Sequence, residues 1–312
     1  TFADRVFFCN SGTEANEAAL KLARRYSHTN FGPQKDLIIA FDNAFHGRSL
    51  LNISVGGQSS YREGFGPLPG SITHLPFNDV AALEETFNSL SDTVCAVIVE
   101  PIQGEGGVLD AEPEFMQAIR RLCDEHQALM VLDEVQTGVG RTGKLYAHEW
   151  YDVKPDILAT AKGIGGGFPI GACLVTKKIA QGMKFGSHGS TFGGNPLACT
   201  VANSVLDIIA KKKFFKELNS KANFLYNELE KIKNENLSII EEIRGQCFLL
   251  GIKCKIKNLI LIKALRKNGL LVVGASENVI RLLPPLNIKK TEIIEAIKIL
   301  KKTCTNLGLT KK

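Results

Sequence analysis

Paired cysteines are missing from this sequence. Its eight cysteines, Cys9, Cys95, Cys123, Cys173, Cys199, Cys247, Cys254 and Cys304, stand singly, with no CxxC among them. That spacing argues against a disulfide framework and against a zinc site, so no metal is expected; it is the usage of reduced thiols in a cytoplasmic protein. No run of about 18 apolar residues is present, so no membrane helix is expected. No basic-then-apolar leader opens the chain. It begins at Thr1, not Met, in what reads as mid-domain, and an upstream segment is expected. Internal repeats and low-complexity tracts are absent. So is an aromatic-rich basic stripe. The formal net charge is +6, and lysines thicken after residue 210, as in KKKFFKEL. Without such a stripe they read as a solvated face, and no nucleic-acid partner is expected.

What is present suits a globular α/β protein. The 312 residues are 44% hydrophobic and 22% charged, and the length favours a large domain with a smaller one. Three apolar runs stand out: VCAVIVE (Val94–Glu100), ALMVLDE (Ala128–Glu134) and ILATAK (Ile157–Lys162). The first two read as strands covered on both faces. Between them, Pro113 suits a first helical position, and Phe115, Ile119, Leu122 and Cys123 recur at helical spacing. Strand, helix, strand at this spacing predicts a parallel sheet. After about residue 205 the character changes to a lysine-rich helix running to about Asn234, then short strands and helices. This predicts a large domain over 1–205 and a smaller α/β domain over 206–312.

Each apolar run ends on a charge: Glu100, Asp133 and Lys162. Ligands of open α/β sheets bind beyond the carboxyl ends of the strands, so these three are site candidates. A lysine buried among apolar neighbours is costly unless paired or chemically changed, and Lys162 raises that question. Near the start, CNSGTEANEAALKLARRY reads as a turn and a helix. Ser11 to Glu14 fits a capping box, and Ala15, Ala19, Leu22, Ala23 and Tyr26 form the buried stripe. The same helix start offers N–H groups to an anion.

Two nucleotide motifs fail in context. GVGRTG (Gly138–Gly143) matches GxGxxG, but Asp133 and Glu134 precede it and only a short helix follows before Pro155. Gly138 to Lys144 fits GxxxxGK, but Leu145 replaces the hydroxyl residue that holds magnesium. Pyridoxal phosphate uses all the parts instead. It needs a lysine for an imine, a carboxylate for its ring nitrogen and a phosphate cradle. Lys162, Asp133, and Ser11, Gly12 and Thr13 supply them.

The blocks CNSGTEANEAALKLAR, AFHGRSL, VEPIQGEGGV, LDEVQTGVGRTGKLYA, PDILATAKGIGGGFPIGA, GSHGSTFGGNPLA and VIRLLPPL follow one another from Cys9 to Leu286. In content and order they resemble the class III aminotransferases of pyridoxal-phosphate fold type I, nearest the acetylornithine branch. The resemblance implies that Lys162 bonds the cofactor and Asp133 pairs with its ring nitrogen. It places Glu134 and Val135 among the cofactor contacts, Gln136 near the ring oxygen, Phe45 on the ring face, and Ser11, Gly12 and Thr13 on the phosphate. Thr191 would reach the neighbouring subunit's cofactor, which implies a homodimer. Arg48 and Arg281 would bind substrate carboxylates, Glu105 would neutralise Arg281, and Ser190 would touch substrate. His46 reads as structural and Glu100 as a supporting group. The implied reaction moves the terminal amino group of N2-acetylornithine to 2-oxoglutarate, giving N-acetylglutamate semialdehyde and glutamate, as in arginine biosynthesis. Ornithine, succinylornithine, succinyldiaminopimelate and 4-aminobutyrate remain rival donors. A cofactor-free interaction protein and a nucleotide-binding protein are the distant alternatives.

Overall fold

The structure, a computed structural model, describes residues 1–309. In chain order the elements are β1 (Arg5–Cys9), α1 (Gly12–Phe31), β2 (Leu37–Phe41), α2 (Leu50–Val55), β3 (Ile72–Leu75), α3 (Val80–Leu90), β4 (Val94–Val99), β5 (Ile102–Gln103), β6 (Leu109–Asp110), α4 (Pro113–Glu125) and β7 (Leu129–Asp133). Then come β8 (Ile157–Thr160), β9 (Gly171–Val175), α5 (Lys177–Ala180), α6 (Pro196–Ile209), α7 (Lys212–Glu235), β10 (Ile240–Gln246), β11 (Leu249–Cys254), α8 (Asn258–Lys267), β12 (Val273–Ala275), β13 (Val279–Leu282) and α9 (Lys290–Leu309). No described helix is long and apolar enough to cross a membrane.

Two compact units divide the chain. The first comprises Thr1–Pro101, Ala111–Val139 and Tyr146–Ile208; the second comprises Ile102–Asp110, Gly140–Leu145 and the chain from Ile209. The change to lysine-rich sequence falls near residue 205, and the long segment of the second unit starts at Ile209. It gives no sign of the two short excursions, because a hairpin and a glycine loop shift composition too little to see.

The first unit holds a seven-stranded sheet in the order β1-β9-β8-β7-β4-β2-β3. Strands β8, β7, β4, β2 and β3 pair in parallel, and β9 runs antiparallel to both β8 and β1. All six residues of β4 and all five of β7 are buried. Successive side chains of a strand point to opposite faces, and the two cores follow that alternation. Ile39, Phe41, Val97, Val99, Met130 and Leu132 pack with Phe115, Ile119 and Leu122 of α4. Ile38, Ala40, Ala96, Ile98, Leu129 and Val131 pack with Ala19, Leu22, Ala23 and Tyr26 of α1. Each fully buried large apolar side chain contributes about 1.5–3 kcal/mol. Both helices bury the residues their sequence periodicity selects.

In the second unit, an antiparallel sheet runs in the order β10-β11-β13-β12. Phe248, Leu250, Ile252 and Ile280 meet Leu218, Leu225 and Leu229 of α7, Leu261 and Leu265 of α8, and Leu300 of α9. Strands β5 and β6 form a small antiparallel ribbon. Between them, buried Val108 lies against Gly251, where an added Cβ would come within 2.8 Å of it.

Candidate functional site

Strand direction places the first unit's candidates on one edge. Phe45, Glu100, Asp133 and Lys162 follow or end β2, β4, β7 and β8, which are neighbours and parallel. Asp133 pairs in register with Ala159, three residues before Lys162. Strand β1 runs the same way as β8, because β9 opposes both. Its carboxyl end therefore delivers the start of α1 to that edge.

Ser11 caps α1, its Oγ accepting the Glu14 N–H at 3.2 Å. The returning half of the predicted capping box goes elsewhere. Glu14 Oε2 accepts both the backbone N–H and the Nδ2 of Asn10, each at 2.9 Å. Asn10 offers two donors to one oxygen, where Ser11 would offer one. The first helical amides, Gly12 and Thr13, are not taken up within the helix. Gly12 lies so close to Val135 that an added Cβ would stand 2.6 Å from its Cγ1. Gly47, at φ 131°, likewise faces the Thr13 hydroxyl, 2.7 Å from where a Cβ would sit.

Asp133 is 4% exposed and fully engaged. Its Oδ1 accepts the Val135 N–H at 3.0 Å. Its Oδ2 accepts Asn16 Nδ2 at 2.7 Å and faces His46 Nδ1 at 2.9 Å. A carboxylate oxygen needs a donor, so that ring nitrogen carries the proton. Asn16 also donates to the His46 carbonyl at 2.8 Å. His46 Nε2 is buried without a hydrogen-bond partner among the described residues. His46 thus holds the Asp133 carboxylate in place. The signal for Asn16 was a polar residue on the apolar face of a helix.

The Phe45 N–H donates to Glu100 Oε1 at 2.8 Å. The Phe45 ring meets Tyr61 edge-on at 5.6 Å. The exposed guanidinium of Arg48 lies 3.9 Å from the Tyr61 ring centroid and 5.4 Å from that of Phe45. It makes no ion pair among the described residues.

Lys162 departs from expectation. The buried run ends at Ala161, and Lys162 itself is exposed. It opens a short 3-10 turn at φ 43°, the left-handed region that non-glycine residues enter at a cost. Gly163 follows, where a Cβ would come 3.0 Å from Val139. The first glycine thus serves chain packing beside the lysine.

Glu134 faces away from this chemistry. Its Oε1 accepts the His148 N–H at 2.8 Å, and Oε2 accepts the Ala147 N–H and the Thr137 hydroxyl, both at 2.7 Å. The side chain anchors the Ala147–Trp150 turn. Burial pushes its pKa up to about 7, against the pull of those donors. Gln136 is half-buried two residues on. Ser190 and Thr191 line a cavity of about 400 Å³ with Thr13, Glu14 and Ser49. Ser190 Oγ accepts Asn10 Nδ2 at 3.0 Å, while Thr191 is exposed. In the second unit, buried Arg281 donates to Glu105 Oε1 at 2.7 Å.

A buried carboxylate fixed by donors suits a cationic ring nitrogen, and uncommitted amides at a helix start suit a phosphate. The residues present therefore fit pyridoxal phosphate, and fold and edge together describe an enzyme of fold type I. The Aminotransferase class-III profile matches residues 1–304. The chain belongs to that family of pyridoxal-phosphate-dependent transaminases.

The Acetylornithine aminotransferase of Vibrio cholerae is 51% identical over 313 residues, covering 98% of this chain and 76% of its own. The Succinylornithine transaminase of Citrobacter koseri is 50% identical, covering 94% of this chain and 72% of its own. The chain thus spans about three quarters of such relatives. The solved ornithine aminotransferase of Toxoplasma gondii ME49 superposes with a TM-score of 0.92 at 33% identity, covering 98% of this chain and 73% of that one. The N-acetylornithine aminotransferase of Stenotrophomonas maltophilia gives 0.84 at 36% identity, covering 100% and 77%.

Proposed function

We propose that this chain transfers the terminal amino group of N2-acetylornithine to 2-oxoglutarate, yielding N-acetylglutamate semialdehyde and glutamate. The observation that carries this reading is the identity of 51% and 52% to two relatives named Acetylornithine aminotransferase. When bound, pyridoxal phosphate supplies the electron sink and carries the amino group between half-reactions. Lys162 would hold the cofactor through its amine and would serve as the acid-base group beside the carbon that bears the substrate amine. Asp133, held by Asn16, His46 and the Val135 N–H, would face the ring nitrogen. Gly12 and Thr13 hold the phosphate, with Ser11 fixing the helix start. Phe45 and Gln136 would contact the cofactor ring, and Val135 contributes packing through Gly12. Glu134 acts through the turn it anchors.

Arg281 takes the carboxylate of glutamate, and Glu105 neutralises it when the donor presents none there. Arg48 takes the other substrate carboxylate; its fork suits two oxygens, and its place on Tyr61 leaves the N–H edges open. Ser190 contacts substrate. Thr191 completes the neighbouring subunit's phosphate site in a homodimer. Mixing K162A and T191A chains tests this: activity above that of either parent is expected, and its absence removes the shared site. The eight single cysteines favour the cytoplasm, which cell fractionation tests.

Initial rates with N2-acetylornithine, N2-succinylornithine, ornithine and 4-aminobutyrate decide the donor. The highest kcat/KM should belong to N2-acetylornithine. Preference for N2-succinylornithine would favour the second reading, which the Citrobacter koseri relative supports.

A further inference from the structure

The lysine-rich stretch read from sequence as a solvated face forms a concave surface. In the second unit, the first turns of α7 and the chain entering α9 line a shallow, solvent-open cleft of about 720 Å³. Lys213, Lys216, Lys221, Lys289 and Lys290 line it, and Glu217 is the one acid on its wall among the described residues. The Lys213–Glu217 contact is long, at 3.8 Å, and both side chains are exposed. Neutral partners position two more ammonium groups. Lys221 Nζ donates to the Ile288 carbonyl at 2.8 Å, and Lys290 Nζ sits 4.7 Å from the Phe224 ring centroid. Neither partner cancels charge. Lys216 and Lys289 are exposed and make no ion pair among the described residues. Glu292, the nearby acid of α9, accepts the Lys289 backbone N–H at 2.7 Å.

This arrangement runs against local preference. A helix start carries partial positive charge and favours acids. Helix α7 has no side-chain cap and no acid in its first turn, and Lys211, Lys212 and Lys213 stand there instead. Such local conflicts mark functional places more often than accidents. The asymmetry extends further. Residues 209–312 hold 22 Lys and Arg against nine Asp and Glu, a net of +13, while the chain as a whole is +6, leaving 1–208 at −7.

We propose that this cleft binds a compact anion bearing at least two phosphate groups, such as a tripolyphosphate chain, free or on a nucleoside. Five ammonium groups against one carboxylate exceed what a single phosphate or carboxylate neutralises. Lysine meets phosphate as a point charge and needs no fixed fork. The cleft has small-molecule dimensions. Phe224 lies under Lys290 and offers no platform on which bases of a single strand would stack.

The test uses cofactor-loaded protein with excess pyridoxal phosphate removed. Sodium tripolyphosphate, magnesium-free ATP and inorganic phosphate are titrated calorimetrically at low and high salt. Tripolyphosphate and ATP should bind saturably and alike, with phosphate weaker by about tenfold or more and all three weakened by salt. K216E/K289E should weaken tripolyphosphate by about a hundredfold, about tenfold for each ammonium group replaced. K263E/K267E makes the same charge change on α8, outside the cleft, and should cost less than about threefold. Absence of saturable binding, or equal weakening in both double variants, overturns the proposal. So does a single-stranded oligonucleotide that binds more tightly than tripolyphosphate at equal salt.

Discussion

Replacing Glu134 with glutamine should change how stability depends on pH, and by an amount the structure sets. Glu134 is fully buried, and its pKa rises from an ordinary 4.5 to about 7. Below about 4.5 the group is protonated in both folded and unfolded chains. As pH rises, the unfolded chain loses the proton first and the folded chain holds it until about 7. The stability present at low pH is therefore lost across that window. The interval corresponds to about 3 kcal/mol, and about 2–3 kcal/mol of it falls between about pH 5 and about pH 8.

Glutamine cannot titrate, so E134Q should lack this loss. Its amide nitrogen will face at least one donor among Ala147 N–H, His148 N–H and the Thr137 hydroxyl, an offset of about 1–3 kcal/mol at every pH. The offset cancels when pH values are compared within each protein. Asp110 in the second unit, which burial raises to about 6, titrates alike in both proteins and cancels when the variant is compared with wild type. Trp150, the one tryptophan, ends the turn that Glu134 anchors. Its fluorescence during denaturant unfolding reports on the right unit. Relative to wild type, E134Q should gain about 2–3 kcal/mol from about pH 5 to about pH 8. Parallel pH curves would refute the reasoning, and would mean that the three donors hold the carboxylate ionised in spite of burial.

Further outcomes follow from other contacts. In K162A, borohydride should leave no cofactor attached to the chain, whereas wild type should retain it by mass spectrometry; retention in the variant would move the attachment elsewhere. G12A should destabilise by about 1–3 kcal/mol, because a stiff β-branched Val135 stands 2.6 Å from the new Cβ. G12A/V135A should recover part of that in denaturant melts, and simple additivity would show that the contact is not the cause. R281A should lower kcat/KM for glutamate by about 10- to 100-fold, the worth of a charge-assisted contact. An unchanged glutamate half-reaction would remove Arg281 from carboxylate binding.

Much of this was legible because it is local. An unbroken apolar strand such as VCAVIV announces cover on both faces, and β4 is buried throughout. The helical spacing in PEFMQAIRRLCDE selects the residues that α4 buries. Cap residues act within four positions, so Ser11 was readable as the start of α1. Even there the partner of Glu14 slipped from Ser11 to Asn10, since both lie within reach and only geometry chooses. The exposure of Lys162 was not legible, because an apolar run does not say where its strand stops.

The environment of Asp133 shows the limit most clearly. Its Oδ2 contacts come from Asn16 and His46, 117 and 87 residues away in sequence. Each sits in a stretch with a sufficient local explanation: a helix stripe for Asn16, a loop beside Phe45 for His46. Strand order alone brings them together, since β1 and β2 send their carboxyl ends to the edge where β7 ends. Periodicity carries no information about that order. Burying a carboxylate is costly unless donors meet it, so the fold has to bring Asn16 and His46 to Asp133 at one edge. The three groups therefore form one hydrogen-bonded unit, and removing either donor would leave part of a buried carboxylate unmet.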